Sequence, residues 1–315
     1  MVSKNLKLKR ICCTIIVIFL IFCILNLAAT KIIYDKIFTR YDCTAHEYQN
    51  ELLPTVHSRE KISFASGENT LCGYLYKSSS DLSKDTLIVL SAGHNACSES
   101  YLWQIKELVD SGWSVFAFDP TGCCESGGKS AIGFSQELLD LKGALSHIEK
   151  NNRFGYNNIA LLGHSRGGYA ACCALSYDYD ISAVICISGI NSAMEGVIGS
   201  ASEYVGMLAY LNYPFLWFYQ SSLFGSDTVN LKANNILSNC DVPVLVVHGA
   251  DDTKVPTDKF SIYSYKDTIN RENIEYLLCS SPQNSGHTDL LFDKDTSAND
   301  ELIKKINEFL EKSLN

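Results

Sequence analysis

Short apolar runs alternate along this chain with segments in which apolar residues recur at helical spacing. The helical segments cover 101–110, 135–150 and a last helix with Ser297 and Asp300 in capping positions, which continues through Phe309. Strands that alternate with helices of about 10–15 residues predict an α/β fold built on a doubly wound, mostly parallel sheet. The runs with the character of buried strands are 86–90, 113–118, 159–162, 183–187, 242–247 and 274–278.

Two stretches depart from this alternation. Residues 61–64 and 70–77 alternate apolar and polar positions around 66–69, which predicts an antiparallel hairpin. Residues 189–239 contain no clear strand and are rich in Tyr, Phe and Trp. Because a long segment of this kind inside a compact domain commonly covers or lines a site, we predict a helical lid insertion over about 189–239.

The first thirty residues differ in composition from the rest. A basic cluster precedes 11–29, an uncharged stretch of 19 residues that Asn26 interrupts. As a helix this stretch is long enough to span a bilayer, and it is long for a signal peptide. We predict a membrane anchor over 1–30, a connector over 31–57 and an extracytoplasmic domain over 58–315, because basic flanks stay in the cytoplasm. The alternative is a cleaved signal and a secreted domain.

Charge and cysteine content exclude several classes of function. The chain has 26 basic and 35 acidic residues, and an acidic body without a basic stripe does not suit nucleic acid. Thirteen cysteines occur without any CxxC spacing, so neither a disulfide scaffold nor a metal site is predicted. Most of them lie in apolar runs, where cysteine acts as a small hydrophobic residue. No cofactor is expected.

The first candidate for chemistry is a serine between two glycines. Gly163, Ser165 and Gly167 form the pattern G-x-S-x-G between a strand-like run and a helical pattern. A sharp strand-to-helix turn strains the serine backbone, exposes its hydroxyl and directs helix N–H groups at a bound carbonyl. The alternative is a glycine-rich turn with an incidental serine.

Serine needs a base to take its proton and an acid to orient the base. Asp251 and Asp252 follow the strand-like run 242–247, and His287 follows the run 274–278. The carboxyl ends of parallel strands meet at one edge of a sheet, so these side chains are expected near Ser165.

The sequences GHSRG, HGADDTKVP and SGH carry a resemblance to the α/β-hydrolases, over about 62–310. The chain is most similar to the bacterial serine hydrolases labelled esterase, lysophospholipase or acyl-peptidase-like. The resemblance implies Ser165 as nucleophile, His287 as base and, in the pattern H-G-x-x-D-x-x-V-P, Asp252 rather than Asp251 as acid.

The resemblance also implies an oxyanion hole made by the backbone N–H groups of Arg166 and His94. The family usually has His-Gly-x in the second loop, whereas this chain has Ala-Gly-His, so Asn95 or Cys97 is an alternative contributor. The glycine-rich loop that begins at Asp119 resembles a family loop with a structural role, and it lacks the lysine pattern of a nucleotide-binding loop.

These features predict a serine hydrolase that cleaves an ester or thioester of an apolar acyl group. An aminopeptidase or other peptidase that takes a hydrophobic peptide is the alternative on the same fold. A non-catalytic binding protein on a hydrolase scaffold is the second alternative, favoured only by the unusual oxyanion loop.

Overall fold

An eight-stranded sheet forms the centre of the molecule. The structure is a computed structural model that describes residues 2–42, 59–78, 83–293 and 297–314. The strands are β1 (Arg59–Ser66), β2 (Asn69–Tyr76), β3 (Thr86–Ser91), β4 (Ser114–Phe118), β5 (Asn158–His164), β6 (Ala183–Ile187), β7 (Val244–Gly249) and β8 (Ile274–Cys279). Their order across the sheet is β1-β2-β4-β3-β5-β6-β7-β8.

The pairing confirms the predicted sheet. β1 and β2 form the expected antiparallel hairpin, β2 pairs antiparallel with β4, and every other neighbouring pair is parallel. The hairpin turn contains Gly67 at φ 55°, a conformation that favours glycine. The carboxyl ends of β3, β5, β6, β7 and β8 therefore share one edge, where the loops of the candidate site begin.

Helices cover both faces of the sheet and bury two apolar cores. The helices are α1 (Val2–Ile37), α2 (Leu102–Asp110), α3 (Phe134–Lys150), α4 (Arg166–Ala174), α5 (Ala193–Val205), α6 (Leu208–Leu211), α7 (Tyr213–Phe224), α8 (Ser226–Val229), α9 (Ala233–Leu237) and α10 (Asp300–Leu314). One face of the sheet packs against α3, α4 and the helices of the 189–239 segment, and the other packs against α2 and α10.

Two details differ from the sequence-based expectation. The side-chain oxygen of Asn299 accepts the backbone N–H of Leu302 at 3.1 Å, so Asn299 caps α10 in place of Ser297 or Asp300. The 189–239 segment is helical as predicted, with five short helices and no strand of the main sheet.

The N-terminal helix is longer than predicted. α1 continues past residue 30 to Ile37, and most of its apolar part is exposed: Ile18 is 62% exposed. Residues 9–37 form a helix long and apolar enough to cross a membrane, and its most apolar window is not buried against the rest of the chain. A helix of this kind differs from the core helix of a soluble protein, which is mostly buried.

The end of α1 belongs to the folded domain. Thr30, Tyr34 and Phe38 are buried, and the Phe38 ring packs edge-to-face on Phe134 with 5.1 Å between ring centroids. Residues 31–42 were expected as a connector, but their aromatic side chains complete the core beneath α3 and α7. The remainder of that connector, 43–57, lies outside the described residues.

Residues 40 and 41 fasten this segment to the loop that begins at Asp119. The Arg40 guanidinium donates hydrogen bonds to the carbonyls of Ser126 and Gly128, at 3.1 and 2.8 Å. The backbone of Tyr41 pairs with that of Cys123 in a short parallel bridge. The chain that leaves α1 is therefore held by backbone and side-chain bonds.

The cysteines play two roles. Cys124 is disulfide-bonded, which the spacing did not predict, and the eleven other cysteines that the structure describes are free. The thiols in the body of the protein are mostly buried in strands and helices, as expected of small hydrophobic residues.

Phe38→Ala tests whether the end of α1 is part of the fold. Truncation of a buried phenylalanine leaves a cavity, so we expect the free energy of unfolding in detergent to fall by about 3–5 kcal/mol. Phe19→Ala is the control, because Phe19 is 61% exposed on α1 and should change the value by less than about 0.5 kcal/mol. Equal effects of the two substitutions in urea titrations would contradict the prediction.

Candidate active site

Ser165 lies in a strained turn between β5 and α4. Its backbone has φ 57° and ψ −118°, a conformation that residues with a Cβ rarely adopt. The flanking glycines permit the turn: a Cβ on Gly163 would lie 2.1 Å from the carbonyl oxygen of Gly167, and one on Gly167 equally close to that of Ser91. The predicted G-x-S-x-G turn therefore has a steric cause.

His287 and Asp252 come together at the carboxyl edge of the sheet. His287 Nδ1 lies 2.7 Å from Asp252 Oδ2, and the Asp252 side chain is fully buried. Asp251 turns away from the histidine and accepts a hydrogen bond from Ser285 Oγ at 2.7 Å. Of the two adjacent aspartates, the second thus contacts His287.

Hydrogen bonds keep the Asp252 carboxylate ionised. Its Oδ1 accepts the backbone N–H groups of Lys254 and Val255, and its Oδ2 lies 3.3 Å from His248 Nε2. Burial alone would raise the pKa of Asp252, but the bonds from His248, His287 and the backbone outweigh it, so the pKa lies below its usual range. A permanent charge here favours the His287 tautomer that carries its proton on Nδ1.

The loop after β3 presents two backbone N–H groups with different partners. That of Gly93 donates to the Tyr101 hydroxyl at 2.9 Å, whereas that of His94 forms no hydrogen bond within the described residues. The Arg166 N–H begins α4 and so has no acceptor in its helix. Asn95 lines the same cavity as His94, and Cys97 is buried in a turn against Ser100.

The His94 side chain points to α1. Its Nε2 donates to the carbonyl of Ile37 at 3.0 Å, and its ring packs edge-to-face against Phe38 with 5.4 Å between centroids. The Ile37 carbonyl ends the helix and would otherwise lack a partner. The unusual histidine after Gly93 therefore has a structural use that its position in the family pattern did not reveal.

A chain of hydrogen bonds joins the β3 loop to the loop of His287. The Tyr101 hydroxyl accepts from Gly93 and lies 2.9 Å from His164 Nδ1, and His164 Nε2 lies 3.0 Å from the carbonyl of His287. Burial lowers the pKa of His164 to about 3, so the ring is neutral and can accept at Nδ1 and donate at Nε2. Sequence analysis missed this role, because Tyr101 and His164 are 63 positions apart.

A buried ion pair lies behind the serine turn. Arg166 Nε is 3.1 Å from Glu137 Oε2, and both side chains are almost fully buried. Glu137 Oε1 also accepts the Ser91 hydroxyl at 2.7 Å. The pair thereby connects the residue after the serine, α3 and the end of β3.

The loop that begins at Asp119 has the structural role expected of it. Asp119 Oδ1 accepts the backbone N–H and the hydroxyl of Ser98, at 3.0 and 2.7 Å. Cys97, Asp119 and Cys124 bring ligand-type atoms within 4.8 Å of one another, a proximity that the spacing did not indicate. Cys124 is disulfide-bonded, however, and so is not a thiolate ligand.

A cavity of about 410 Å³ opens over these groups. Ser165, His94 and His287 line it, so the structure brings three of the predicted site residues to one space. Its other walls come from the end of α1, from α5 and from the loop after β7. The wall residues include Ile37, Phe134, Ile190, Glu195, Glu203, Tyr204, Lys254, Val255 and Phe260.

Comparison with known proteins supports the fold class. The sequence model of the family described as Serine aminopeptidase, S33 (Hydrolase_4) matches residues 83–218. The esterase Pf2001 of Pyrococcus furiosus superposes with a TM-score of 0.65 at 19% identity, over 89% of this chain and 99% of the esterase. The protein has the α/β-hydrolase fold. No curated protein matches the chain by sequence.

Two other solved structures are similar. Est1E from Butyrivibrio proteoclasticus, with bound ferulic acid, gives a TM-score of 0.57 at 15% identity over 80% of this chain and 99% of Est1E. An acylaminoacyl peptidase of Pyrococcus horikoshii gives 0.58 at 15% identity over 85% of this chain but only 44% of the peptidase. The predicted resemblance is confirmed: the solved structures share the fold, and the matched sequence model describes a family of serine hydrolases.

Tyr101→Phe tests the bond chain between the two loops. Loss of the hydroxyl leaves the Gly93 N–H and His164 Nδ1 without a partner, so we expect the free energy of unfolding to fall by about 1–3 kcal/mol. Tyr76→Phe is the control, because the buried Tyr76 hydroxyl has no hydrogen-bond partner in the described residues. Urea titration should show a loss only for Tyr101→Phe, and an unchanged value there would contradict the bond chain.

The low pKa of His164 predicts a dependence of stability on pH. Between about pH 6.5 and pH 4 the unfolded chain takes up a proton at this histidine and the folded chain does not. The free energy of unfolding should therefore fall with falling pH by about 1.4 kcal/mol per unit for this residue. Burial and the charge of Arg166 lower the pKa of His94 to about 4 and add to the slope in the same direction.

Urea titrations in detergent from pH 7.5 to pH 4.5 measure this slope. His164→Gln should reduce this slope by the contribution of one proton, about 1.4 kcal/mol per pH unit. An undiminished slope in the variant would show that His164 is not the residue held neutral by the fold.

Proposed function

We propose that this protein is a serine esterase that cleaves an ester or thioester of an apolar acyl group. The observation that carries the proposal is the cavity shared by Ser165 and His287, with His287 Nδ1 bonded to the buried Asp252. Nucleophilic acyl transfer needs an accessible serine, a histidine base and a carboxylate that orients the base.

The reaction follows from these roles. Ser165 Oγ attacks the substrate carbonyl carbon while His287 Nε2 takes the hydroxyl proton, and Asp252 stabilises the imidazolium that results. The N–H groups of Arg166 and His94 bind the oxyanion. Collapse of the intermediate expels the alcohol or thiol, which receives the proton from His287. Water then attacks the acyl-enzyme by the same proton route and releases the acid and free Ser165.

The cavity walls support an apolar acyl group. Ile37, Phe134, Ile190, Val255 and Phe260 contribute apolar side chains close to Ser165 and His287. An acyl chain in this space gains about 25 cal/mol for each Å² of apolar surface removed from water.

A serine aminopeptidase is the second candidate, and Glu195 favours it. This residue lines the cavity, and its Oε2 is buried without a hydrogen-bond partner in the described residues. Glu203 also lines the cavity but is paired with Lys254 at 3.2 Å. An unpaired carboxylate near the serine suits the ammonium group of a peptide, and the matched family is described as serine aminopeptidases.

We also propose that α1 anchors the enzyme in a membrane with the catalytic domain outside the cytoplasm. The exposed apolar length of α1 and the basic residues at its start support this orientation. The disulfide at Cys124 agrees with an oxidising compartment. Cleavage near residue 30 would cut α1 next to the buried Thr30, so the structure favours an uncleaved helix over a signal peptide.

Adjacent aspartates give a matched test of the triad. Asp252→Asn should reduce kcat for p-nitrophenyl esters by roughly 10³–10⁴-fold, because an amide favours the wrong histidine tautomer. Asp251→Asn preserves the His287 contact and should cost less than about tenfold, and Ser165→Ala should abolish the acyl-enzyme burst. A larger loss in Asp251→Asn would contradict the assignment.

The choice of substrate needs a parallel assay. Full-length protein in detergent is given p-nitrophenyl esters of rising acyl length and aminoacyl p-nitroanilides. An esterase should prefer the esters both as the parent protein and as Glu195→Gln. An aminopeptidase should bind the anilides more weakly after Glu195→Gln. Folded protein that is silent on both series would support a non-catalytic binding role instead.

A further inference from the structure

Exposed apolar side chains gather on one part of the molecule. Outside α1, nine large apolar side chains in the described residues are exposed, and all but Leu278 lie between 204 and 223. Met207 and Leu211 are the most open, at 81% and 76%. No charged residue occurs between Glu203 and Asp227. We call residues 204–218, which comprise the end of α5, α6 and the first half of α7, the apolar shoulder.

The apolar shoulder lies beside the membrane-spanning part of α1. The Phe215 ring packs edge-to-face on that of Phe22, with 6.0 Å between centroids, and Asn212 Nδ2 donates to Thr30 Oγ1 at 2.6 Å. Lys31 is the first charged residue after the apolar run. At 1.5 Å per residue, Phe22 lies about 13 Å from Lys31 along the helix. A bilayer that surrounds α1 at Phe22 therefore also reaches the start of α7.

Two side chains on and near the apolar shoulder donate hydrogen bonds to internal partners, whereas Asn212 Oδ1, Gln220 Oε1 and Ser221 Oγ have no partner in the described residues. The Trp217 indole N–H donates to Asn230 at 2.9 Å, and the buried Gln220 amide donates to Met194 Sδ. The backbone groups of α6 and α7 form hydrogen bonds within these two helical segments. Lipid offers no hydrogen-bond partners, so a surface with many apolar side chains and no charged ones is suited to contact with it.

We propose that the apolar shoulder is embedded in the bilayer leaflet next to the catalytic domain and forms a second membrane contact beside α1. The shoulder also meets the candidate active site. Tyr204 is 58% exposed at its edge and lines the cavity, together with Ile37 at the end of α1. The cavity thus opens at the membrane surface, and its substrate is an acyl ester that resides in the bilayer. This last step rests on the esterase function proposed above, whereas the membrane contact does not.

Photolabelling of the unmodified full-length chain tests the membrane contact. The protein is placed in nanodiscs of phosphatidylcholine that carry a diazirine on the acyl chain, and adducts are mapped by mass spectrometry after irradiation. We expect adducts on 11–30 and on 207–218, and none on α10. Residues 11–30 serve as the internal control for insertion.

Each outcome of this experiment decides the proposal. Adducts on 11–30 alone would overturn it, and a doubled particle mass in the same nanodiscs would then assign the shoulder to contact between two copies of the chain. Absence of adducts on both segments would overturn the shoulder and the anchor together. None of these results depends on whether the protein hydrolyses esters.

A charge substitution tests the route of the substrate. Leu211→Glu places a carboxylate on the shoulder away from the cavity, and it should lower hydrolysis of a long-chain acyl ester in nanodiscs about tenfold. Hydrolysis of soluble p-nitrophenyl acetate should stay unchanged. Leu278→Glu is the matched control, since Leu278 is 40% exposed on β8 and should leave both rates unchanged.

The two readouts separate the membrane contact from the chemistry. Equal rates on the bilayer substrate for Leu211→Glu and the parent would overturn delivery from the membrane. Inactivity of the parent on both esters, with adducts on 207–218, would overturn the esterase function and leave the membrane contact in place.

Discussion

A serine held at positive φ is the constraint on which the rest of the site depends. Backbone strain of this kind costs about 1–3 kcal/mol and persists only where the surroundings fix it. Here β5 delivers the turn from the middle of the sheet, and the glycines of α4 let its backbone approach Ser91 closely. Behind the turn, the Arg166–Glu137 ion pair and the Glu137–Ser91 bond hold the same elements from inside. The position of Ser165 at the cavity therefore depends on several elements of the sheet and its helices.

Buried polar groups then set the loops around that serine relative to one another. His164 follows β5 and binds the carbonyl of His287, while Tyr101 binds both His164 and the loop of His94. Every link in this series is a neutral hydrogen bond in an enclosed space, where an unmade bond costs more than a made bond gains. The positions of the His287 loop and the loop after β3 are thus coupled, although no sequence motif contains both.

The sequence was informative where the physical cause is local. Apolar runs and turn residues predict the sheet, and the glycines that the sharp turn requires identify Ser165. Asp251 and Asp252 are the same type of residue at adjacent positions, so only the family pattern distinguished them before the contact with His287 was seen. The continuation of α1 was missed for another reason: burial of Tyr34 and Phe38 depends on α3 and α7, which are distant in sequence. Long-range packing of this kind leaves no periodic signal.

The end of α1 is part of the wall of the candidate site. Its last carbonyl, on Ile37, carries the partial negative charge of a helix C-terminus and accepts the His94 ring N–H, and Ile37 also lines the cavity. A tether would need none of these contacts, since any flexible linker keeps a domain near a membrane. In the membrane arrangement proposed above, a rigid helix whose end lines the cavity would fix how the cavity faces the bilayer. Under that proposal the helix supplies orientation at the surface, rather than proximity to it.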